Sequence, residues 1–291
     1  MTRIDAEIAE NSHFRMETSP NVWNQDPRKG KTLMTSTDQE TPPKDTLKMS
    51  PDQVFRFHCG PSVSCYTQCC QDVSIALTPY DVLRVKNALG MSSGDFLDQH
   101  TVIVGRDTQL IPLVFLKMNE EDKQCPFVSE EGCRIYENRP WACRMFPLDM
   151  DNEGMFRLIA DPAKCKGLES GETVRISDWL VEQGIVPYDR MITRFAEVTN
   201  PLRATQPDIE NPEISKMIFM ALYNLDRFRA FVFESTFLKR FEVDPVRVEK
   251  IKRSDEELLN FGIDWIKFGV FGQILFRVKE DAPGANPPSA E

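Results

Sequence analysis

The sequence predicts an α+β protein: a small cysteine-rich metal-binding module with a mainly helical C-terminal part. Three observations predict it. All eight cysteines lie between Cys59 and Cys165. Short apolar runs bounded by turn residues read as strands in that same region. From Arg175 onward, apolar residues recur at three- and four-residue steps, the spacing of amphipathic helices. The expected division is a disordered segment over 1–50, a cysteine module over 51–172, a helical region over 173–278 and a disordered tail over 279–291.

The two ends set the outer limits. The first ~50 residues are rich in Thr, Ser, Pro, Asn, Asp and Lys with no hydrophobic period, a composition that buries too little to order itself. The closing "KEDAPGANPPSAE" reads the same way. Order should begin at "DQVFRFHC", where Val54, Phe55 and Phe57 suggest a short extended segment leading into the cysteines.

A helix is expected over "TPYDVLRVKNALG". Thr78 is a suitable N-cap, Pro79 fits the first turn, and Asp81 favours the positive end of the helix dipole. Val82, Leu83, Val85 and Leu89 form its apolar stripe, and Gly90 ends it. A second short helix starts at Ser92, with Phe96 and Leu97 inward. "TVIVG", "LIPLVFLKM" and "MFRLIA" read as strands.

The C-terminal part reads as a series of helices. "ISDWLVEQG" is short and closes at Gly184. "PYDRMITRFAEVTN" carries Met191, Ile192, Phe195 and Val198 on one face. "NPEISKMIFMALYNLDRFRAFVFES" reads as one long helix through Ile214, Met217, Ile218, Ala221, Leu222, Leu225, Phe228 and Val232. The last helix opens at Ser254 with Glu257 three residues on, a capping box. Leu258, Leu259, Phe261, Ile263, Trp265, Ile266 and Phe268 line it. The Met and Phe stripes are read as core, not as a cofactor box.

Composition excludes several classes. The formal net charge of the 291-residue chain is −10, which argues against general nucleic-acid or anionic-membrane binding, since both need excess Lys and Arg. The N-terminus has no apolar stretch of a secretory signal, and no run is long enough to span a bilayer. A cytoplasmic protein with no membrane association and an unidentified protein or small-molecule partner is expected. There is no G-x-G-x-x-G loop, no P-loop and no C-x3-C-x2-C string of radical S-adenosylmethionine enzymes.

Thiols in the cytosol are kept reduced, so clustered cysteines there point to metal or redox chemistry rather than structural bridges. "CGPSVSCYTQCC" holds Cys59, Cys65, Cys69 and Cys70. "CPFVSEEGCRIYENRPWACRMFP" holds Cys125, Cys133 and Cys143, and Cys165 stands alone in "ADPAKCKG". Short spacings let several thiolates meet one centre at little entropic cost. Cys165 is the one most readily explained as an inert core thiol. Cys69 and Cys70 are adjacent, so both reach one centre only from an irregular turn; otherwise they serve different surroundings. A cysteine nucleophile would need a base, and the chain has only His13, His58 and His100. His58, beside Cys59, is a candidate ligand or hydrogen-bond donor.

These residues carry a resemblance. The first cysteine box followed by "CPFV…GCRIYENRPWACRMFPL" is similar to the YkgJ-type cysteine-cluster family, described as zinc- or iron-chelating domains, whose hallmark is a CxxCxxCC box and a downstream C-x-I-Y-E-x-R-P-x-x-C-R-x-F-P string. The second string matches from Cys125 to Pro147. The first box departs from the pattern: here it is C-x5-C-x3-C-C. A related motif in flagellin lysine methylases implies an iron–sulfur cluster there.

The metal ligands expected are Cys59, Cys65, Cys69, Cys70, Cys125, Cys133, Cys143 and, least strongly, Cys165. Arg139 and Arg144 are expected to offset the charge of a thiolate centre, bond its sulfurs or bind an anionic ligand, the alternative being salt bridges to Glu137 or Asp149. Trp141 is expected to shield the centre from water. Tidy C-x2-C pairs of structural zinc sites are absent, and a Cys-Pro step occurs at Cys125–Pro126, which favours a [4Fe–4S]-type iron–sulfur cluster over zinc. Three functions stay open: an iron–sulfur protein with a redox, structural or regulatory cluster; a zinc-binding or iron-handling protein; and a protein-modifying enzyme such as a lysine methyltransferase supported by the cysteine module.

Overall fold

The structure, a computed structural model, describes residues 48–105, 110–151, 153–205 and 212–279. Most of the 1–50 segment and of the 279–291 tail therefore lies outside the described residues. Helices and short two-stranded ladders are mixed along the chain, and the C-terminal part is helical, so the α+β expectation holds. The described residues divide into two compact units: 48–76 with 115–189, and 77–114 with 190–279. Helices Pro79–Leu89 and Ser93–His100 thus belong to the helical unit, and 173–189 to the unit that holds the cysteines.

The cysteine-bearing unit is built from three small antiparallel ladders. Val54–Arg56 pairs with Thr173–Arg175, Val128–Ser129 with Gly132–Cys133, and Leu148–Met150 with Phe156–Leu158. Met49 also bridges to Phe156, so order starts ahead of the first strand. Each ladder is too short to be stable alone. One apolar cluster of Met145, Leu148, Phe156, Ile176, Trp179 and Ile185 holds the first and third ladders. Phe55 stands edge-on to Trp179 at 5.3 Å between ring centroids, so the strand that leads to Cys59 is anchored in the core.

The helical unit is organised around helix Asp255–Phe271, which packs on Pro79–Leu89, Pro212–Leu222, Leu225–Glu234 and Pro245–Arg253. Its Ser254 side chain accepts from the Glu257 N–H, the N-cap half of the expected capping box. At the far end Trp265 meets Phe237 at 4.9 Å and Phe241 at 5.1 Å, within a nest that also holds Phe261 and Phe276. The capping box at Thr78 and Asp81 forms, and the helix behind it buries Val82, Leu83 and Val85. Lys86 on the same helix is buried and reaches Asp255 at 2.8 Å. The methionine and phenylalanine stripes are core: Met217, Ile218, Phe228 and Phe261 are all buried.

Two helix boundaries differ from expectation. The long helix expected through 211–235 is two helices, Pro212–Leu222 and Leu225–Glu234. Asn224 causes the break: its side chain accepts from the Arg227 N–H and starts a new helix although the apolar period continues. The helix containing Met191 and Val198 runs from Val186 to Thr205, through Pro201. Pro201 cannot donate a main-chain hydrogen bond and crowds the preceding turn, yet the helix continues through it. Helix Pro245–Arg253, capped by Asp244, is an element the hydrophobic period did not announce.

Candidate metal centre

The first cysteine loop is a chain of tight turns. The main-chain N–H groups of Val63, Tyr66, Gln68 and Cys70 each donate to the carbonyl three residues back. Thr67 takes a left-handed φ of 67° and opens a 3-10 turn over Gln68–Cys70. Successive residues in such a turn step by about 120° around its axis. Cys69 and Cys70 leave this turn as neighbours, and their thiols hydrogen-bond to each other.

Two main-chain pairings bring the remaining cysteines to this loop. On one side, Cys125 N donates to Cys70 O at 2.8 Å and Asp72 N to Lys123 O at 2.9 Å, so segment 122–125 lies along 70–72. On the other, His58 N donates to Gly167 O at 3.0 Å, and Lys166 N donates to the Cys65 sulfur at 3.2 Å. Gly167 allows this approach: a Cβ there would lie 2.6 Å from the His58 carbonyl oxygen. Cys165, isolated in the sequence, is thereby placed beside Cys65. His58 itself is exposed and packs against this glycine segment.

Tyr66 locks the hairpin that carries Cys133. Gly132 has φ of +117°, and a Cβ on it would fall 2.2 Å from the Tyr66 hydroxyl. Only glycine combines that backbone with that contact.

None of the eight cysteines is in a disulfide; Cys59 and Cys69 are exposed and the others half-buried. Their surroundings fall into two sets. Burial pushes the Cys59 thiol up to about 11, and Cys69, Cys65 and Cys165 push the same way. Burial raises Cys165 too, where its thiol neighbours are Cys65 and Cys69. The Cys69–Cys70 hydrogen bond lowers Cys69 to about 7 and keeps the proton on Cys70, which is raised further by burial and by Cys69, Cys125 and Cys143. Cys125, raised by burial, has Cys133 as its thiol neighbour.

Main-chain groups already address these sulfurs. Hydrogen bonds from the backbone of Phe127 and Val128 lower the Cys125 thiol against the effect of burial, that of Ile135 does so for Cys133, and those of Gly167 and Leu168 for Cys165. Donors of this kind favour the thiolate over the thiol. Among the described residues, no three His, Cys, Asp or Glu side chains converge closely enough to hold one ion as they stand.

The arginines are placed differently from expectation in one respect. Neither bonds a sulfur, and neither pairs with Glu137 or Asp149 among the described residues; Asp149 is taken by Arg157. Arg144 is buried and donates to the carbonyls of Glu137, Arg139 and Gln183 and to the Tyr188 hydroxyl. Arg139 is buried, donates to the Tyr136 carbonyl and the Gln183 side chain, and lies 3.9 Å over the Tyr136 ring. Its charge nevertheless reaches Cys133 and Cys143. Trp141 packs against the apolar cluster and donates its indole N–H to Asp189 at 2.8 Å.

Residues 58–166 match the family described as "CxxCxxCC: Putative zinc- or iron-chelating domain". The match covers a little over a third of the chain and contains every cysteine, so the resemblance read from the cysteine strings holds for this segment. No curated protein and no solved structure matches the chain.

Proposed function

We propose that this is a cytoplasmic metal-binding protein whose cysteine module carries a thiolate-ligated iron–sulfur cluster, working with a protein or small-molecule partner. The observation that carries the reading is the set of main-chain hydrogen bonds directed at the Cys65, Cys125, Cys133 and Cys165 sulfurs. Inert core thiols have no need of such donors, whereas metal-bound thiolates are stabilised by them. The buried guanidinium group of Arg139 supports it. A buried cation without a carboxylate is costly, and the negative charge of a thiolate centre offsets that cost for Arg139, whose field reaches Cys133 and Cys143.

The donor set fits soft metals: thiolate-rich sites select zinc, Cu(I) or iron–sulfur clusters. The irregular C-x5-C-x3-C-C spacing and the adjacent Cys69 and Cys70 favour a cluster over a single zinc held by two paired knuckles. A bound iron–sulfur cluster would supply one-electron chemistry or a structural crosslink. The chain's own residues set its surroundings: N–H groups bond the sulfurs, Arg139 lowers the local negative charge, and Tyr66 fixes the hairpin of Cys133.

The matched family's description also names zinc, which gives the second reading. Absorption spectroscopy of anaerobically purified protein separates the two. A brown protein with broad visible absorbance that bleaches on reduction is expected. A colourless protein with bound zinc would overturn the iron–sulfur reading and leave the zinc one.

A further inference from the structure

The first cysteine loop ends on two thiols joined by a single peptide unit, Cys69 and Cys70, and these thiols hydrogen-bond to each other. The turn that presents them is fixed at both ends. Thr67 enters it with a left-handed φ of 67°, and Cys70 N donates to Thr67 O at 2.9 Å. On the far side Cys70 O accepts from Cys125 N at 2.8 Å. Asp72, also left-handed with φ of 52°, donates its N–H to Lys123 O at 2.9 Å. The two sulfurs differ in access: Cys69 is exposed and Cys70 is half-buried, and neither is in a disulfide.

Adjacent cysteines make an unusual redox pair. Consecutive Cα atoms lie about 3.8 Å apart across a trans peptide, whereas an ordinary disulfide spans about 4.4–6.8 Å between its Cα atoms. A bond between these two sulfurs closes a small ring that contains the 69–70 peptide unit itself, and such a ring is strained. Contact between the thiols favours closure, and strain makes the closed form easy to reduce. Strained or exposed disulfides are the labile, regulatory ones, in contrast to structural bridges. Access follows the same logic: an incoming oxidant meets Cys69 first, and Cys70 stands behind it as the resolving thiol.

We propose that Cys69 and Cys70 are a thiol–disulfide exchange site, oxidised reversibly to a vicinal disulfide by a small-molecule disulfide. The Cys69 thiolate attacks that disulfide, one new S–S bond forms, and one thiolate leaves. The Cys70 thiolate then attacks Cys69 Sγ, closes the Sγ–Sγ bond and expels the second thiolate. The two cysteines lose two protons and two electrons in all, and the incoming disulfide is reduced to two thiols. Closing the ring twists the 69–70 peptide unit and strains both hydrogen bonds of Cys70, to Thr67 and to Cys125. The redox state of the pair is thereby transmitted to segment 122–125. One consequence rests on the metal-binding reading above: a sulfur held in the bridge is no longer a thiolate ligand, so oxidation loosens bound metal.

The test equilibrates the anaerobically prepared full chain with glutathione disulfide and reduced glutathione at graded ratios, with and without a chelator. Free thiols are then alkylated and the peptides mapped by mass spectrometry, and metal is measured before and after. The expected first product is a Cys69–Cys70 bridge with the other cysteines alkylated, reversed by excess reduced glutathione. Cys70→Ser should stop at a glutathione adduct on Cys69, because the resolving thiol is gone. Should that variant fail to fold, the wild-type map decides alone. A first bridge between any other pair, a lasting glutathione adduct on wild-type Cys69, or eight alkylated thiols at every ratio with and without chelator overturns the proposal. A Cys69–Cys70 bridge in a protein that held no metal at the start supports the exchange site and counts against the metal-binding reading instead.

Discussion

Arg144 donates its Nε–H to the main-chain oxygen of Arg139 at 3.1 Å, and both guanidinium groups are buried without a carboxylate partner among the described residues. Both are held by main-chain carbonyls, and Arg139 also lies near thiols. The two arginines divide the work. Arg144 is tied to backbone on three sides, whereas Arg139 also projects its charge to Cys133 and Cys143.

Arg139→Gln removes that charge and keeps a polar side chain. Metal retention should fall on the order of tenfold, as for loss of an outer partner of a metal site. The metal-loaded protein should lose more thermal stability than the metal-free one. Equal losses in both forms, measured by thermal melts with and without a chelator, would make Arg139 purely structural.

Arg144→Met leaves the carbonyls of Glu137, Arg139 and Gln183 without their donor. Each buried acceptor so orphaned costs about 1 kcal/mol or more, so a total near 3 kcal/mol is expected. The loss should be alike in metal-free and metal-loaded protein, which denaturant titration of both forms checks.

Gly132→Ala forces a non-glycine residue to φ of +117° and drives a methyl into the Tyr66 hydroxyl. A loss of about 2 kcal/mol or more is expected from strain and overlap together. Adding Tyr66→Phe should restore part of it, because the hydroxyl contact goes while the backbone strain stays. A double-mutant cycle showing no coupling would contradict the contact.

In the helical unit, burial alone would raise the Asp255 carboxyl, but the hydrogen bond and charge of Lys86 and the charge of Arg229 outweigh it and hold the group below the usual carboxylate range. The folded form therefore binds this proton less tightly than the unfolded form. The stabilisation is present above the unfolded value of about 3.9 and is lost as pH falls through the lower folded value. Asp255→Asn should cost about 3 kcal/mol at neutral pH, the lower end for a broken buried pair, because Asp226 remains 3.7 Å from Lys86. The difference from wild type should shrink as pH drops below the carboxylate range. A constant difference down to strong acid would show that the charge is not what is lost.

What the sequence made legible was local. Thr78, Asp81, Ser254 and Glu257 announce their helices because a cap acts within one turn. Asn224 was legible in kind, but the apolar period runs straight across it and masked the break. Asp244 followed by Pro245 is a start signal of the same sort, hidden by the mostly polar helix behind it. The cysteines announced themselves as a group through their motifs. Their partition did not, because it depends on pairings between segments 50 to 100 residues apart, such as Lys166 with Cys65 and Cys125 with Cys70. For the same reason Cys165 looked solitary. The arginines could not be placed from sequence, since their partners are main-chain carbonyls, which every residue offers.

The most direct test is iron, zinc and acid-labile sulfide analysis of the wild-type protein purified without oxygen. Iron and sulfide in equal amounts, bound in stoichiometric ratio to the chain and absent from a variant lacking Cys65, Cys70, Cys125 and Cys133, are expected. Protein that emerges free of iron and zinc, with all eight thiols still titratable, would contradict the account.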